Sequence, residues 1–241
     1  MKQTASKRAA LDAALGRLSL EFNQQTKDML LDYLDMVIEK NKVINLTRIT
    51  SFEEAVVLHL EDSLSIYEDF CQTSGRFLDI GTGAGFPGIP LGITTGRKGV
   101  LLDSVKKKAV AVQGFIDELG LNSTLSAVGM RSEELAEEQP ASFGVITARA
   151  VSSLPAVEEL ASPLLERGGK LIAMRAVDSE EDIVLAKKAA DLLGLELIER
   201  REFSIGEQAE YSRSVCIFQK VAKPKVKLPR HPGYASKKPL V

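Results

Sequence analysis

The sequence predicts an α/β protein with a mostly parallel seven-stranded sheet, an antiparallel edge and an N-terminal helical extension. Helical periodicity fills the first 70 residues, after which short apolar runs alternate with helical patterns. Alternating strands and helices are typical of a parallel sheet that is covered by helices on both faces. Two strand-like runs with no convincing helix between them end the body, and they favour the antiparallel edge.

The individual elements follow from local periodicity. Apolar residues recur at helical spacing from Phe22 to Ile38, and a second amphipathic stretch runs from Glu53 to about Tyr67. We therefore assign residues 1–70 to the helical extension and residues 71–220 to the sheet domain. Strands are predicted at 76–80, 99–102, 123–128, 144–147, 170–174, 196–203 and 213–219, with helices at 87–95, 105–119, 154–165 and 180–193.

Composition limits the class of protein. A chain of 241 residues with 44% hydrophobic residues can bury a full core. No apolar run approaches the roughly 18 residues of a membrane span, and residues 1–20 lack a signal-peptide core, so we expect a cytoplasmic protein. The two cysteines, Cys71 and Cys216, are far apart and only two histidines are present, which argues against a metal site.

The charge is divided unevenly along the chain. Residues 221–241 carry six basic residues and no acid, whereas the body has 25 basic and 33 acidic residues, a net charge of −8. Four prolines argue against regular structure in this C-terminal arm, so we expect an extended basic arm suited to a polyanion such as RNA. A solubilising disordered tail or a PxxP ligand are the alternatives.

A glycine-rich turn follows the first predicted strand. The stretch FLDIGTGAGFPG, residues 77–88, places four glycines between that strand and a helix. In such a sheet a ligand lies beyond the carboxyl ends of the strands, and glycine allows it to lie against bare backbone. The turn therefore predicts a site for a nucleotide-like molecule.

Two registers of this turn compete. Residues 83–88 match the dinucleotide pattern GxGxxG, while residues 81–85 match GxGxG preceded by Asp79. A carboxylate repels a pyrophosphate but attracts the ammonium and sulfonium charges of S-adenosylmethionine. We therefore favour S-adenosylmethionine over NAD and expect an acidic pocket with Gly81 and Gly83 against the cofactor.

Further cofactor contacts are expected at the strand ends. Asp103 ends the second strand, 22 residues after Gly81, where it can accept both ribose hydroxyls; a helix N-cap is the alternative. Ser132 and Glu133 follow the third strand near the adenine edge, unless they only begin a helix. Arg149 follows the fourth strand and could hold the methionine carboxylate or a substrate phosphate, with a surface ion pair as the alternative.

The missing chemistry narrows the methyl acceptor. His59, Asp62 and Ser63 are the residue types of a hydrolase triad, but they fall within five residues on one predicted helix, whereas triads draw on separate segments. The Asn-Pro-Pro-Tyr loop of amino-group methylation is absent, and no cysteine is placed for C5 of a pyrimidine. Guanine N7 has a free lone pair and needs no general base, so positioning can supply the catalysis.

Several segments resemble one known family, the bacterial 16S ribosomal RNA guanine-N7 methyltransferases, also called glucose-inhibited division protein B. They are NKVINLT at 41–47, HLEDS at 59–63, the glycine turn through Leu91, Leu102–Ser104, Arg149–Ala150, PRHPG at 229–233 and KKP at 237–239. The resemblance implies a Rossmann-like S-adenosylmethionine-dependent fold and N7 methylation of one guanosine near the decoding region of small-subunit RNA. It places cofactor contacts at Gly81, Phe86, Ser132, Glu133 and Arg149. An apolar wall is the physical role of Phe86, with a core position as the alternative.

Two other functions stay open beside this one. They are an NAD-linked enzyme and a ribosome-associated protein that binds the cofactor without catalysis. Because only 5% of the chain is aromatic, basic residues are expected to hold the RNA or small-subunit particle. We expect a monomer. The RNA-binding candidates are Arg175, Lys223, Lys225, Lys227 and Arg230, followed by Lys2, Lys7, Arg8 and Lys106 to Lys108.

Overall fold

A computed structural model describes residues 2–241, with only the backbone of residues 2–4. Lys2, one of the weaker RNA-binding candidates, therefore lies outside the described side chains. The helices are α1 Lys2–Arg17, α2 Gln24–Asn41, α3 Phe52–Ala55, a π-helical segment Val56–Glu61, α4 Asp62–Leu64, α5 Tyr67–Cys71, α6 Gly88–Thr95, α7 Lys106–Glu118, α8 Ser132–Glu138, α9 Leu154–Ala161, α10 Glu180–Leu193 and α11 Tyr234–Lys237.

One seven-stranded sheet organises the chain. Its strands are β1 Phe77–Ile80, β2 Gly99–Leu102, β3 Leu125–Val128, β4 Phe143–Arg149, β5 Leu165–Arg175, β6 Leu195–Ile205 and β7 Tyr211–Lys220. Their spatial order is β3-β2-β1-β4-β5-β7-β6, in which β1 to β5 are parallel and β7 runs antiparallel between β5 and β6. The predicted fold class is confirmed.

The sheet has an apolar layer on each face. Because side chains alternate along a strand, β1 sends Phe77 to one layer and Leu78 to the other. The first layer contains α1, α2, α6 and α7, and the second contains α8, α9 and α10. The N-terminal helices thus share a core with the sheet. The proposed domain boundaries at residues 70 and 220 stay a prediction.

Two predicted helices end differently in the structure. The helix predicted over 154–165 ends at Ala161, because the chain turns there and Leu165 already pairs with Phe143 on β4. The stretch from Glu53 to Tyr67 is divided by the π-helical segment, whose wider turn shifts the register of the residues that follow it. This segment carries His59 to the edge of the sheet.

The basic arm does not extend away from the body as predicted. Apolar residues of the arm, among them Val226, Leu228 and Leu240, pack against the second apolar layer. Arg230 pairs with Glu159 on α9, which explains why this charge turns inward. Prolines exclude a long regular element, but packing and ion pairs still hold the arm in place.

No helix among residues 2–241 is both long enough and apolar enough to span a bilayer.

Tyr33 joins the N-terminal helices to the glycine turn. Its side chain is fully buried, and its hydroxyl donates a hydrogen bond of 2.8 Å to the carbonyl oxygen of Ala84. Burial raises the pKa of Tyr33 well above its ordinary value, so the hydroxyl keeps its proton and stays a donor.

We expect Tyr33→Phe to lower the free energy of unfolding by about 1–3 kcal/mol, because it leaves the Ala84 carbonyl buried without its partner. Urea unfolding measures the loss. The control is Tyr211→Phe, at the half-exposed start of β7, where we expect a change of about 0.5 kcal/mol or less. Equal stability of wild type and Tyr33→Phe would show that this bond does not support the turn.

Candidate active site

The glycine turn lies between β1 and α6, at the carboxyl edge of the parallel strands. Gly81, Gly83 and Gly85 have φ angles of +68°, +61° and +105°, which side chains rarely adopt. A Cβ on Gly81 would lie 2.7 Å from Cγ2 of Val151, and one on Gly85 would lie 2.6 Å from the Tyr33 hydroxyl. The protein itself therefore excludes side chains at these two glycines, whatever ligand binds there.

Asp79 supports the turn from below. Its Oδ2 accepts hydrogen bonds from the Thr82 hydroxyl at 2.6 Å and the Gly88 amide at 3.1 Å, and its Oδ1 accepts one from the Thr147 hydroxyl at 2.9 Å. The carboxyl group is fully buried and lines neither of the cavities described below. Asp79 was expected to face the sulfonium of the cofactor, but its carboxyl group is not part of either cavity's lining. It instead ties β1, the turn, α6 and β4 together.

Asp103 performs a similar task from β2. Its Oδ2 accepts a hydrogen bond from the Gly83 amide at 3.0 Å, and its Oδ1 accepts one from the Val105 amide at 2.8 Å. The carboxylate therefore holds the glycine turn and the loop before α7. Its predicted contact with ribose hydroxyls stays a proposal, for which each oxygen keeps further acceptor capacity.

Two cavities meet at Gly81. The first, of about 430 Å³, lies between the turn and the helical extension, and the second, of about 190 Å³, lies between β2, α8 and the arm. Of the predicted cofactor residues, Gly83, Phe86 and Arg149 line the first cavity, and Ser132 and Glu133 line the second. The predicted set is therefore divided over two adjoining cavities, with Asp103 beneath them.

Charged side chains at the first cavity form a connected network. Arg149 Nη1 donates hydrogen bonds to Asp62 Oδ2 and to the carbonyl oxygen of Leu58, each 2.9 Å long. Arg213 Nε donates to the other oxygen of Asp62 at 2.8 Å. One carboxylate, 5% exposed, thus orients two arginines from β4 and β7.

His59 stacks on Phe86 at the wall of the same cavity. The ring centroids are 4.3 Å apart and the rings are nearly parallel, at 11°. Nε2 lies 3.0 Å from the Thr47 hydroxyl and Nδ1 lies 3.4 Å from Arg149 Nη2. Because a guanidinium can only donate, Nδ1 is the acceptor and the proton belongs on Nε2. Burial lowers the pKa of His59 to about 3, and the positive charge of the nearby Arg149 is the second cause. The ring is therefore neutral at physiological pH.

Part of this network was not predicted from the sequence. From the sequence, His59 and Asp62 were considered only as residue types of a hydrolase triad, and neither Arg213 nor Thr47 was a predicted site residue. His59 and Asp62 are three residues apart in the predicted helix. This spacing puts both side chains on a common face and could have identified the pair. Arg213 gave no local signal, because it meets Asp62 only through the antiparallel β7.

The first cavity is not acidic, contrary to the prediction. Among its described lining residues are three arginines, Arg149, Arg175 and Arg213, and one carboxylate, Asp62. The acids that suggested an acidic pocket, Asp79 and Asp103, bind backbone and hydroxyl groups below the turn. A cationic cavity favours an anionic substrate such as an RNA backbone.

The predicted RNA-binding residues differ in their surroundings. Arg175 lines the first cavity and donates to Asp178 at 2.6 Å. Lys223 and Lys227 are exposed on the arm, and Lys225 pairs with Asp191 on α10. Arg230 is held by Glu159, so its contact with RNA is a prediction that this ion pair opposes. Of the weaker candidates, Lys7 and Arg8 pair with Asp35 and Asp28, whereas Lys106 and Lys107 are exposed and Lys108 is half-buried.

The cavities suit S-adenosylmethionine. The turn offers bare backbone at Gly81 and Gly83, and Phe86 gives an apolar wall beside Arg149. The second cavity combines apolar Leu102 and Met130 with the carboxylate of Glu133, a set that fits a purine nucleoside. Among the described side chains, no cluster of three His, Cys, Asp or Glu residues is placed to hold a metal ion.

Comparisons with known proteins agree on one family and one fold. A family model described as GidB, rRNA small subunit methyltransferase G, matches residues 26–211. Proteins named ribosomal RNA small subunit methyltransferase G from Clostridium novyi (strain NT) and Desulfitobacterium hafniense (strain Y51) are 34% and 36% identical to this chain. The alignments cover 96% of both chains in the first case, and 93% of this chain and 94% of the relative in the second.

Solved structures show the likeness of the fold alone. A putative sarcosine dimethylglycine methyltransferase from Galdieria sulphuraria aligns with a TM-score of 0.55 and 12% identity, over 72% of this chain and 89% of that one. The cofactor-bound protein Rv0187 from MTB aligns with a TM-score of 0.55 and 18% identity, over 78% of this chain and 89% of that one.

Asp79 generates a prediction about pH. Burial raises its pKa to about 6, although hydrogen bonds from Thr82, Thr147 and Gly88 act in the opposite direction. Because the folded state holds this proton more tightly than the unfolded state, the contribution of Asp79 to stability falls as pH rises from about 4 to about 6. Asp79→Asn cannot titrate, so the stability of wild type relative to this variant should fall over that window by about 3 kcal/mol.

Urea unfolding of both proteins at several pH values measures this difference. Asp117→Asn, exposed on α7, serves as the matched control for the loss of a carboxyl group. A wild-type advantage over Asp79→Asn that stays constant or grows with pH would contradict the assignment.

Proposed function

The chain belongs to the GidB family, rRNA small subunit methyltransferase G, and we propose that it methylates N7 of one guanosine in 16S ribosomal RNA, near the decoding region. The observation that carries this proposal is the family match over residues 26–211, with relatives of that name aligned over more than nine-tenths of the chain. The NAD-linked alternative is set aside, because the matching family is one of methyltransferases.

The cofactor of this reaction is S-adenosylmethionine, which supplies an electrophilic methyl group when bound. We assign its adenosine end to the second cavity, beside Ser132 and Glu133, and its methionine end to the first, beside Gly81, Gly83 and Phe86. Asp103 lies between these regions beneath Gly83, and we assign it the ribose. We assign the methionine carboxylate to Arg149, one of the three arginines that line the first cavity.

The lining of the first cavity suits an acceptor that needs no general base. His59 is neutral, with both ring nitrogens next to Thr47 and Arg149, and Asp62 is shared by two guanidinium groups. Both ring nitrogens and both carboxylate oxygens are already engaged in hydrogen bonds. Guanine N7 presents a lone pair without deprotonation, so the chain needs only to orient the base and exclude water.

The arginines of the cavity have two effects on this reaction. Arg175 and Arg213 favour approach of the anionic RNA backbone. Methylation of N7 makes the base a cation, and the same positive field then favours its departure. Arg149, fixed by Asp62, contributes to both effects without changing its own charge.

We propose that the protein acts in the cytoplasm as a monomer on ribosomal RNA or a small-subunit particle. Support for the monomer comes from the coverage of both sheet faces by helices of the same chain. The exposed lysines Lys223, Lys225 and Lys227, together with Arg175 at the cavity, are the proposed RNA contacts.

The position of methylation can be tested by mass mapping of modified guanosines in small-subunit RNA from cells with and without the protein. We expect one N7-methylguanosine to be lost without it. RNA that carries 7-deazaguanosine at that position should accept no methyl group from labelled cofactor in vitro, because the attacking nitrogen is absent. Transfer to the deaza RNA would refute the N7 assignment. Cofactor binding without any transfer to unmodified RNA would favour a non-catalytic binding protein.

Charge on the arm should be visible in the salt dependence of RNA binding. The triple variant Lys223→Gln, Lys225→Gln, Lys227→Gln should reduce the slope of log K against log salt by about 2, since each contact with single-stranded phosphate contributes roughly 0.7. The control replaces two exposed lysines of α10, Lys187 and Lys188, by Gln. An unchanged slope in the triple variant would remove these lysines from the RNA interface.

A further inference from the structure

The C-terminal arm contributes to the lining of the second cavity. Gly233, Ala235 and Ser236 are lining residues there, opposite Met130 to Glu133 at the start of α8. Ala235 is only 2% exposed, so this part of the arm is packed into the body. We call residues 229–238 the strap.

Hydrogen bonds and an ion pair hold the strap in this position. The Gly233 amide donates a hydrogen bond of 2.7 Å to Oε1 of Glu133. The Ser236 hydroxyl lies 3.3 Å from that of Ser152, in the loop after β4. On the other side, Arg230 Nε donates a bond of 2.7 Å to Glu159, whose side chain is 4% exposed.

The strap also folds back on itself. Arg230 Nη2 donates to the carbonyl oxygen of Lys238 at 2.9 Å, which joins the two ends of the segment. Gly233 has a φ of +84°, and this left-handed conformation begins the short helix α11. The guanidinium of Arg230 therefore fixes the strap to α9 and also joins the two ends of the strap.

We propose that the strap is a wall of the cofactor site, in which Gly233, Ala235 and Ser236 contact the adenosine end and the Gly233 amide orients Glu133. This inference rests on the proposed function, since it takes the second cavity to hold adenosine. Leu102 and Met130 line the cavity from the body, and Gly233, Ala235 and Ser236 line it from the strap. A purine gains affinity from contact on both faces, and a site open on one side loses that contact.

The assignment differs from the role that the charge of the arm suggests. Two basic side chains of the strap, Lys237 and Lys238, are exposed and can meet RNA, whereas Arg230 points to buried Glu159. The cofactor role depends on the backbone of Gly233 and on small side chains. It therefore predicts an effect on cofactor affinity when no RNA is present.

The test is calorimetric titration of the RNA-free protein with S-adenosylhomocysteine. We expect Arg230→Gln, and a truncation after Leu228, to weaken binding at least about tenfold, because both release the strap. The truncation keeps Val226 and Leu228 but removes Leu240 and Val241, which pack against the same apolar layer, so Arg230→Gln is the more specific variant. The matched control is Arg200→Gln on the edge strand β6. It removes a guanidinium that pairs with Glu180 on α10 and Glu202 on β6, and it should leave affinity unchanged.

A tether separates loss of the strap from loss of the fold. Ser152→Cys and Ser236→Cys bring two thiols together where the hydroxyls are 3.3 Å apart, in a background with the exposed Cys71 replaced by Ser. Adding this pair to Arg230→Gln should restore affinity when oxidised and not when reduced.

Wild-type affinity in folded Arg230→Gln and in the folded truncation would overturn the proposal, as would an oxidised tether that restores nothing. A wild-type protein that does not bind S-adenosylhomocysteine would overturn the proposed function and the strap with it.

Discussion

The buried carboxyl group of Asp79 is the constraint on which the rest of the site depends. It accepts hydrogen bonds from the turn, from the first residue of α6 and from β4, so three parts of the chain share one anchor. Asp103 repeats the arrangement from β2. The glycine turn therefore has a fixed shape before any ligand arrives, and binding does not need to order it.

The helical extension belongs to the site as much as the sheet does. Tyr33 contacts the turn from α2, while the π-helical segment and the start of α4 place His59 and Asp62 beside it. Asp62 in turn orients arginines that are far apart in the sequence. The first cavity thus lies between the helical extension and the sheet domain, and its lining needs residues from both.

Periodicity and the glycine motif were sufficient to predict the fold, because strands, helices and tight turns depend on local sequence. The family could be identified because its segments occur in order along nearly the whole chain. What the sequence did not reveal is where acids and bases point. Asp79 was expected to face a ligand and instead binds the turn. Arg230 stays a predicted RNA contact, but the sequence did not indicate that its guanidinium pairs with Glu159, 71 residues away. Such pairings depend on the packed fold, since a position at a strand end does not say which donor takes each lone pair.

The contact between Gly233 and Glu133 joins residues that are 100 positions apart in the sequence. The parallel strands β1 to β5 pair with one another through residues 77–175, without using the strap. Detachment of the strap would therefore remove part of the lining of the nucleoside cavity while the sheet stays paired. The cavity can thus open by local unfolding that leaves the rest of the protein folded.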